Sequence, residues 1–326
     1  MSMYLDKTIP VESIASSTPK PKPKITIKSD KLKTTLRIHA SVVLLIPTVA
    51  SALAIFTASR VGIGILEVGL LVGMYVLTMW GGITVGFHRH FAHHSFQTNT
   101  IMRVILAILG SMACQGPLIY WISNHRRHHQ YSDSPGDIHS PYFKGDKTLK
   151  GFSGLLYSHI GWMFDHEFTN SFLFAKDLFQ DSIISKVNRL YYFWILLGLA
   201  IPALLGGLLS GSWMGALSGL LWGGFLRIFL SSQFTFSINS ITHLYGSRSF
   251  NTREQSTNNI WLAIPTGGEG WHNNHHAFPN SAKFGLKWWQ IDLGYWTIRT
   301  LELANLAWDV KIPTTGMIEA KAISQS

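Results

Sequence analysis

VGIGILEVGLLVGMYVLTMWGGITVGFHRHFAHH, from Val61 to His94, begins as a bilayer-length apolar run and ends in a cluster of histidines. Up to Phe87 its only charged residue is Glu67, near the start. About 20 such residues at 1.5 Å rise each suffice to cross a bilayer. Upstream, Ile38 to Ala58 is a second such run, with only Ser59 and Arg60 before Val61, so the two predict a tight hairpin. Downstream, Tyr191–Leu209 and Trp213 to about Phe236, joined by Ser210-Gly211-Ser212, predict another. Pro202 kinks the third run without excluding a span, because neighbouring helices can satisfy the carbonyl it frees. Arg227 in the fourth run is expensive at mid-bilayer, so that helix is expected to leave the hydrocarbon there and continue into water.

Composition points the same way. The 326 residues are 47% hydrophobic and 13% charged, about half the charge of a soluble domain. Lys and Arg crowd the N-terminal tail, the 88–190 segment and the C-terminal region, and are scarce in the two hairpin turns. The positive-inside rule then puts both termini and the middle segment in the cytoplasm. The expected fold is an all-α integral membrane protein. Four transmembrane helices in two hairpins are expected to hang from a cytosolic helical cap. The stretch IMRVILAILGSMACQGPLIY, Ile101–Tyr120, is borderline for a span and would strand histidines on opposite sides if it crossed. It is read as an interfacial or buried helix.

Three segments are expected: a basic tail at 1–36, a membrane domain at 37–312 and a C-terminal tail at 313–326. Residues 1–30, rich in Ser, Thr, Pro and Lys, read as disordered and not as a signal peptide, since no apolar core follows a short basic start. The net charge of +10 suits anionic headgroups. Nucleic acid is a poor partner, because the tail lysines alternate with prolines and lack aromatics.

The single cysteine, Cys114, permits neither an internal disulfide nor a thiolate metal site, whereas there are 15 histidines. HRRHH supplies His125, His128 and His129; HNNHH supplies His272, His275 and His276; His243 stands alone. Positions i, i+3 and i+4 share a helical face, so each triplet can aim three imidazoles at one spot. Together they exceed what one tetrahedral zinc needs, and imidazole-rich sites with an open position suit non-haem iron. In the first box, His88 and His93 are about 140° apart on an ideal helix. They converge only if the helix distorts or ends there, and His90 with His94 is the competing same-face pair. The lone His39, His139, His159 and His166 read as surface or hydrogen-bonded groups.

At these residues the sequence resembles the membrane-bound fatty acid desaturases, both the bacterial and cyanobacterial delta-9-like members and the animal acyl-CoA enzymes. The landmarks are GITVGFHRHFAHHSF, NHRRHHQYSDSPGDIHSPY, NSITHLYGSRSF and GGEGWHNNHHAFPNSAKFGLKWWQIDL, in order between about Gly81 and Pro313. The resemblance implies a di-iron centre with nine histidine ligands. One iron would take His88, His93, His125, His129 and His275. The other would take His128, His243, His272 and His276, with Asn239 reaching it through water. It further implies O2 as co-substrate, two electrons from a separate ferredoxin or cytochrome b-type donor, and removal of two hydrogens from adjacent methylenes lying in an apolar tunnel. An unactivated C–H bond lies beyond side-chain acid or base, so a redox metal is required.

Two departures bear on the acyl carrier. WISNH places Ser123 where the animal enzymes have an arginine that helps hold CoA, and Phe236 stands where they have tryptophan. Acyl-CoA is thereby weakened, leaving a lipid-bound chain or an acyl carrier protein thioester. The expected activity is acyl desaturation, with an acetylenase or hydroxylase on the same frame as the alternative. A membrane metal transporter is the alternative of another class, opposed by boxes lying at helix ends instead of mid-bilayer.

Overall fold

The computed structural model describes residues 24–165 and 167–323, so most of the expected disordered tail and His166 lie outside the described residues. Helix α1 spans Asp30–Val61. Ser29 caps it by accepting from Leu32 N, Asp30 occupies the acid-favouring first turn, and Gly62, at φ 84°, ends it. Residues 30–36, expected in the tail, are therefore the first turns of a helix. Good capping extends it ahead of the apolar run, and Thr26–Ile27, paired antiparallel with Phe168–Thr169, anchors the chain before it. The break before the next helix falls at 62–64 and not at Ser59-Arg60, because Arg60 still lies in the last turn of α1.

Helix α2, Ile65–Ala92, is α-helical to Tyr75 and π-helical from Val76 onward. Helix α3, Thr100–Met112, starts where Asn99 accepts from Met102 N at 2.9 Å. At 13 residues it is about 20 Å long, too short for a span, and it buries Leu106, Ala107 and Gly110 against α2. Helix α4, Leu118–Tyr131, follows directly after Pro117.

Helix α5, Tyr191–Ser210, continues through Pro202 and ends at Gly211, whose φ of 63° is the left-handed turn a C-terminus needs. Ser212 then caps helix α6, Trp213–His243, by accepting from Gly215 N at 3.0 Å. α1, α2, α5 and α6 are each long and apolar enough to cross a membrane. α6 packs on the other three, while Leu45 and Val49 of α1 and Leu204 and Leu208 of α5 face outward.

Arg227 does not emerge into water. It is fully buried in α6, donating to Met112 O at 2.6 Å, Gly198 O at 3.0 Å and Gly223 O at 3.2 Å. Hydrogen bonds to helix carbonyls replace the water that the sequence reading assumed, so the helix continues through protein.

Beyond α6, the segment from 244 to 292 folds over the ends of α2 and α4 and carries helix α7, His272–Ala277. The buried Arg89 of α2 clamps it, donating to Ala282 O at 2.7 Å and pairing with Asp292 at 2.8 Å, with Phe284 stacked 4.0 Å beneath its guanidinium. In the C-terminal tail, the short exposed helix α8, Thr315–Lys321, packs beside Phe278.

Candidate metal centre

The first box converges because α2 is not an α-helix there. A π-helix closes its bonds from i to i+5, and His93 N accordingly donates to His88 O at 3.2 Å. The fifth residue thus lies over the first, and the two rings sit 4.9 Å apart, edge to face. His90 turns the other way, with Nδ1 3.2 Å from Phe96 O. His94 takes a positive φ of 51° and faces Asp177 at the surface.

Each triplet divides between two sites instead of aiming at one. On α4 the i, i+4 pair His125 and His129 joins His88 and His93, while His128, a quarter-turn away, points elsewhere. On α7 the pair His272 and His276 joins His128 and His243, and His275 crosses to the first group. The result is two clusters: His88, His93, His125, His129 and His275, then His128, His243, His272 and His276. Within each, one ring nitrogen per residue lies within 4.8 Å of all the others. The stacked rings of His129 and His276, 4.5 Å apart, join the clusters. Asn239 lines the cavity beside them, with His125, His128 and His272.

Carboxylates lie behind the rings. His128 Nδ1 donates to Asp137 at 3.0 Å, His243 Nδ1 to Asp133 at 2.8 Å, and His88 Nδ1 to Glu269; Glu254 stands 3.8 Å from His276 Nδ1. Burial alone would raise the Asp137 carboxyl, but the His128 imidazole and its hydrogen bond hold it well below the usual range, so it stays ionised. With Nδ1 donating backward, Nε2 presents a lone pair forward.

Those forward nitrogens crowd one another. His88 and His275 Nε2 are 3.0 Å apart, His275 and His129 2.9 Å, His93 and His125 2.7 Å, His243 and His272 3.0 Å, and His272 and His276 3.1 Å. Protons cannot relieve this. Burial first, then neighbouring imidazoles, hold His93, His125, His129, His272, His275 and His276 well below their ordinary pKa, so they are neutral. Buried His128 Nε2 has no partner at all among the described residues. Lone pairs converging on two points give each cluster a nitrogen donor set that fits a metal cation, with five rings in the first and four in the second.

Sequence reasoning missed the four carboxylates. Asp133 and Asp137 stand in SDSPGD directly after the second box, in a chain with only 17 acidic residues, which was the available signal. It also put His139 among surface or hydrogen-bonded groups. His139 is buried, its ring 4.4 Å from His128, its Nδ1 without a partner among the described residues, and burial pushes it down to about 3. His159 does hydrogen-bond, to Ser240 at 3.0 Å and Gln233 at 3.2 Å, and His39 packs half-buried against Tyr191 and Tyr192.

Three cavities with lining residues in common lie in a row that ends at the clusters. The outer one lies among Ile27, Phe168, Phe172 and Phe179 and shares Leu36, His39 and Tyr120 with the middle one. The middle one, past Phe236 and Cys114, shares Trp121, His125, Thr235 and Asn239 with the inner one, which Met79 and Ile83 help to line. The walls are mostly apolar, as an acyl chain requires.

A family model described as fatty acid desaturase matches residues 68–309. The chain is 50% identical over 301 residues to the hex-5-enoyl-[acyl-carrier protein] acetylenase of Moorena producens (strain JHB), covering 92% of this chain and 94% of that protein. It is 38% identical over 247 residues to the sn-1 stearoyl-lipid 9-desaturase of Anabaena variabilis, covering 75% and 84%. It is 35% identical over 245 residues to the acyl-CoA C20 delta5-desaturase of Anemone leveillei, covering 74% and 72%.

Proposed function

The chain belongs to the fatty acid desaturase family, an oxidoreductase family acting on acyl chains, and on that premise we propose that it unsaturates a fatty acyl group carried by acyl carrier protein. The observation that carries this reading is the meeting of a row of apolar cavities with two clusters of converging imidazoles at Trp121, His125, Thr235 and Asn239.

The ligand set we assign is His88, His93, His125, His129 and His275 for one iron. His128, His243, His272 and His276, with Asn239 through a water, serve the other. Two iron ions with O2 supply the oxidising power that unactivated C–H bonds need. The chain's residues do the rest. Asp137, Asp133 and Glu269 hold three rings in the tautomer that faces the metals. Trp121 and Phe236 keep water from the reacting methylenes, and the channel walls fix which methylenes stop at the clusters. The net change is –CH2–CH2– + O2 + 2 electrons + 2 H+ giving –CH=CH– + 2 H2O, the electrons coming from a separate ferredoxin or cytochrome b-type donor.

In this reading α1 with α2 and α5 with α6 form two transmembrane hairpins, the histidine-bearing segments form a cytoplasmic cap, and both termini are cytoplasmic in a bacterial inner membrane. The membrane domain begins with α1 at Asp30 and runs to about residue 312, ahead of a C-terminal tail at 313–326. A metal transporter is disfavoured because the clusters lie at the ends of α2 and α6, away from the bilayer midplane.

Acyl carrier protein is favoured over CoA by Ser123, which is buried and donates to Ile119 O at 2.6 Å, leaving nothing at that position to hold a CoA phosphate. The near full-length similarity to an acetylenase supports a second reading, in which an existing terminal double bond becomes a triple bond.

The deciding experiment is mass spectrometry of acyl carrier protein, lipid and CoA pools in cells co-expressing the chain and a ferredoxin, beside a His125→Ala control. A loss of two mass units in the carrier-protein pool, absent in the control, is expected of desaturation, and a loss of four relative to the saturated chain of acetylenation. Change confined to lipid or CoA overturns the carrier assignment, and a gain of sixteen means a hydroxylase.

Orientation of the rings gives a further expectation. Asp137→Asn should weaken metal retention by about 10–100-fold, as loss of a ligand's outer partner does elsewhere, with the fold intact by thermal melting. Metal content measured after stepwise chelation reports it, and unchanged retention removes Asp137 from this role.

A further inference from the structure

A second opening reaches the clusters and shares no lining residue with the acyl channel. Its floor is His93, His129 and His276, so it touches both clusters at once. His129 and His276 are half-buried there and stacked on each other. The rim is cationic. Arg253 and Lys321 are exposed and make only backbone hydrogen bonds, to Gln130 O at 2.9 Å and Ala277 O at 2.6 Å. Lys321 also borders an adjoining depression with Lys311, which donates to His94 O at 2.8 Å. None of these three cations has an ion-pair partner among the described residues. The acid in the groove, Glu254, is buried and faces His276. The depression adds an apolar centre, with Ile312 and Met317 about half exposed.

We propose that this groove docks a small acidic one-electron carrier of the [2Fe–2S] ferredoxin class, which passes electrons through the His129–His276 stack. The inference rests on the reading of the clusters as an iron site. An apolar centre ringed by unpaired cations is the complement of an acidic protein whose redox group lies near its surface. Acyl carrier protein is also acidic, but its acyl chain must enter the channel, and the groove does not connect with it. Two dockings, each delivering one electron, supply the two electrons per double bond in the balance above, and solvent supplies the two protons. One stacked pair with a ring in each cluster lets a single docking pose serve both metals.

The test uses the metal-loaded full chain in nanodiscs and a plant-type [2Fe–2S] ferredoxin as probe. Arg253→Glu with Lys321→Glu is expected to weaken ferredoxin binding about tenfold or more and to flatten its salt dependence. Re-oxidation of reduced ferredoxin in stopped flow slows in step. Metal content, melting temperature, reduction of the centre by dithionite and acyl carrier protein binding stay at wild-type values. The neutral pair Arg253→Gln with Lys321→Gln falls between. Unchanged ferredoxin affinity in the charge-reversed chain overturns the proposal. So does a loss of acyl carrier protein binding instead, which would make the groove that protein's dock. Absence of metal from the wild-type chain would count against the iron reading itself, and ferredoxin affinity would still report on the groove.

Discussion

Alanine at His128 or at His275 is expected to abolish oxidation of the acyl chain and to take metal content below that of the wild-type chain. Each residue belongs to a different cluster. His275 Nε2 lies within 3.0 Å of both His88 and His129 Nε2, so its removal opens the first cluster at its centre. His128 is the one α4 ring in the second cluster, and its loss leaves Asp137 as a buried carboxylate without its imidazole. An uncompensated buried charge costs several kcal/mol in its own right, so metal loss and some destabilisation should appear together in His128→Ala, and metal loss alone in His275→Ala. His159→Ala is the control, because its ring bonds Ser240 and Gln233 and belongs to neither cluster. His139 is not a control, lying 4.4 Å from His128. Turnover by mass spectrometry and metal by elemental analysis check all three, and equal activity in the three variants sinks the ligand assignment.

The site shows where a one-dimensional reading stops. Apolar length made four spans legible, and spacing marked the two triplets, whereas His88, His93 and His243 were singled out by the family resemblance and His139 was passed over. Angles derived from an ideal α-helix misled, since they set His88 and His93 apart and would send each triplet to one point. The first error came from a π-helical segment, which no residue of GITVGFHRH announces. The second came from taking i, i+3 and i+4 as one direction, when a quarter-turn is enough to split two metals. Arg227 was misjudged for a related reason. Its partners are carbonyls of α3, α5 and α6, and only packing brings those within reach. Of the carboxylates behind the rings, Asp137 lies nine residues from His128, whereas Asp133 and Glu269 reach His243 and His88 through tertiary structure alone.

The π-helical segment also sets the largest expected effect on folding, that of Gly82→Val. Gly82 and Gly86 of α2 face Leu106 and Gly110 of α3, a small-residue crossing that lets two backbones meet. A Cβ at Gly82 would overlap the backbone of Leu109 and Gly110, with Leu109 O at 2.6 Å. Nothing there is the flexible end of a side chain, so relief requires α3 to move as a body. Overpacking costs about 1–3 kcal/mol, and more where backbone must move, against a total stability of roughly 5–15 kcal/mol. The displacement would fall six residues before His88, on the helix that carries the first box, so any chain that still folds should lose metal as well. Gly73→Ala, on the same helix, meets nothing within 4 Å and should be neutral or stabilising by about 0.5–1 kcal/mol, because alanine favours the helix. Monodisperse yield and melting temperature separate the two. Comparable values for Gly82→Val and Gly73→Ala would mean that the α2–α3 crossing is looser than drawn and does not position the first box.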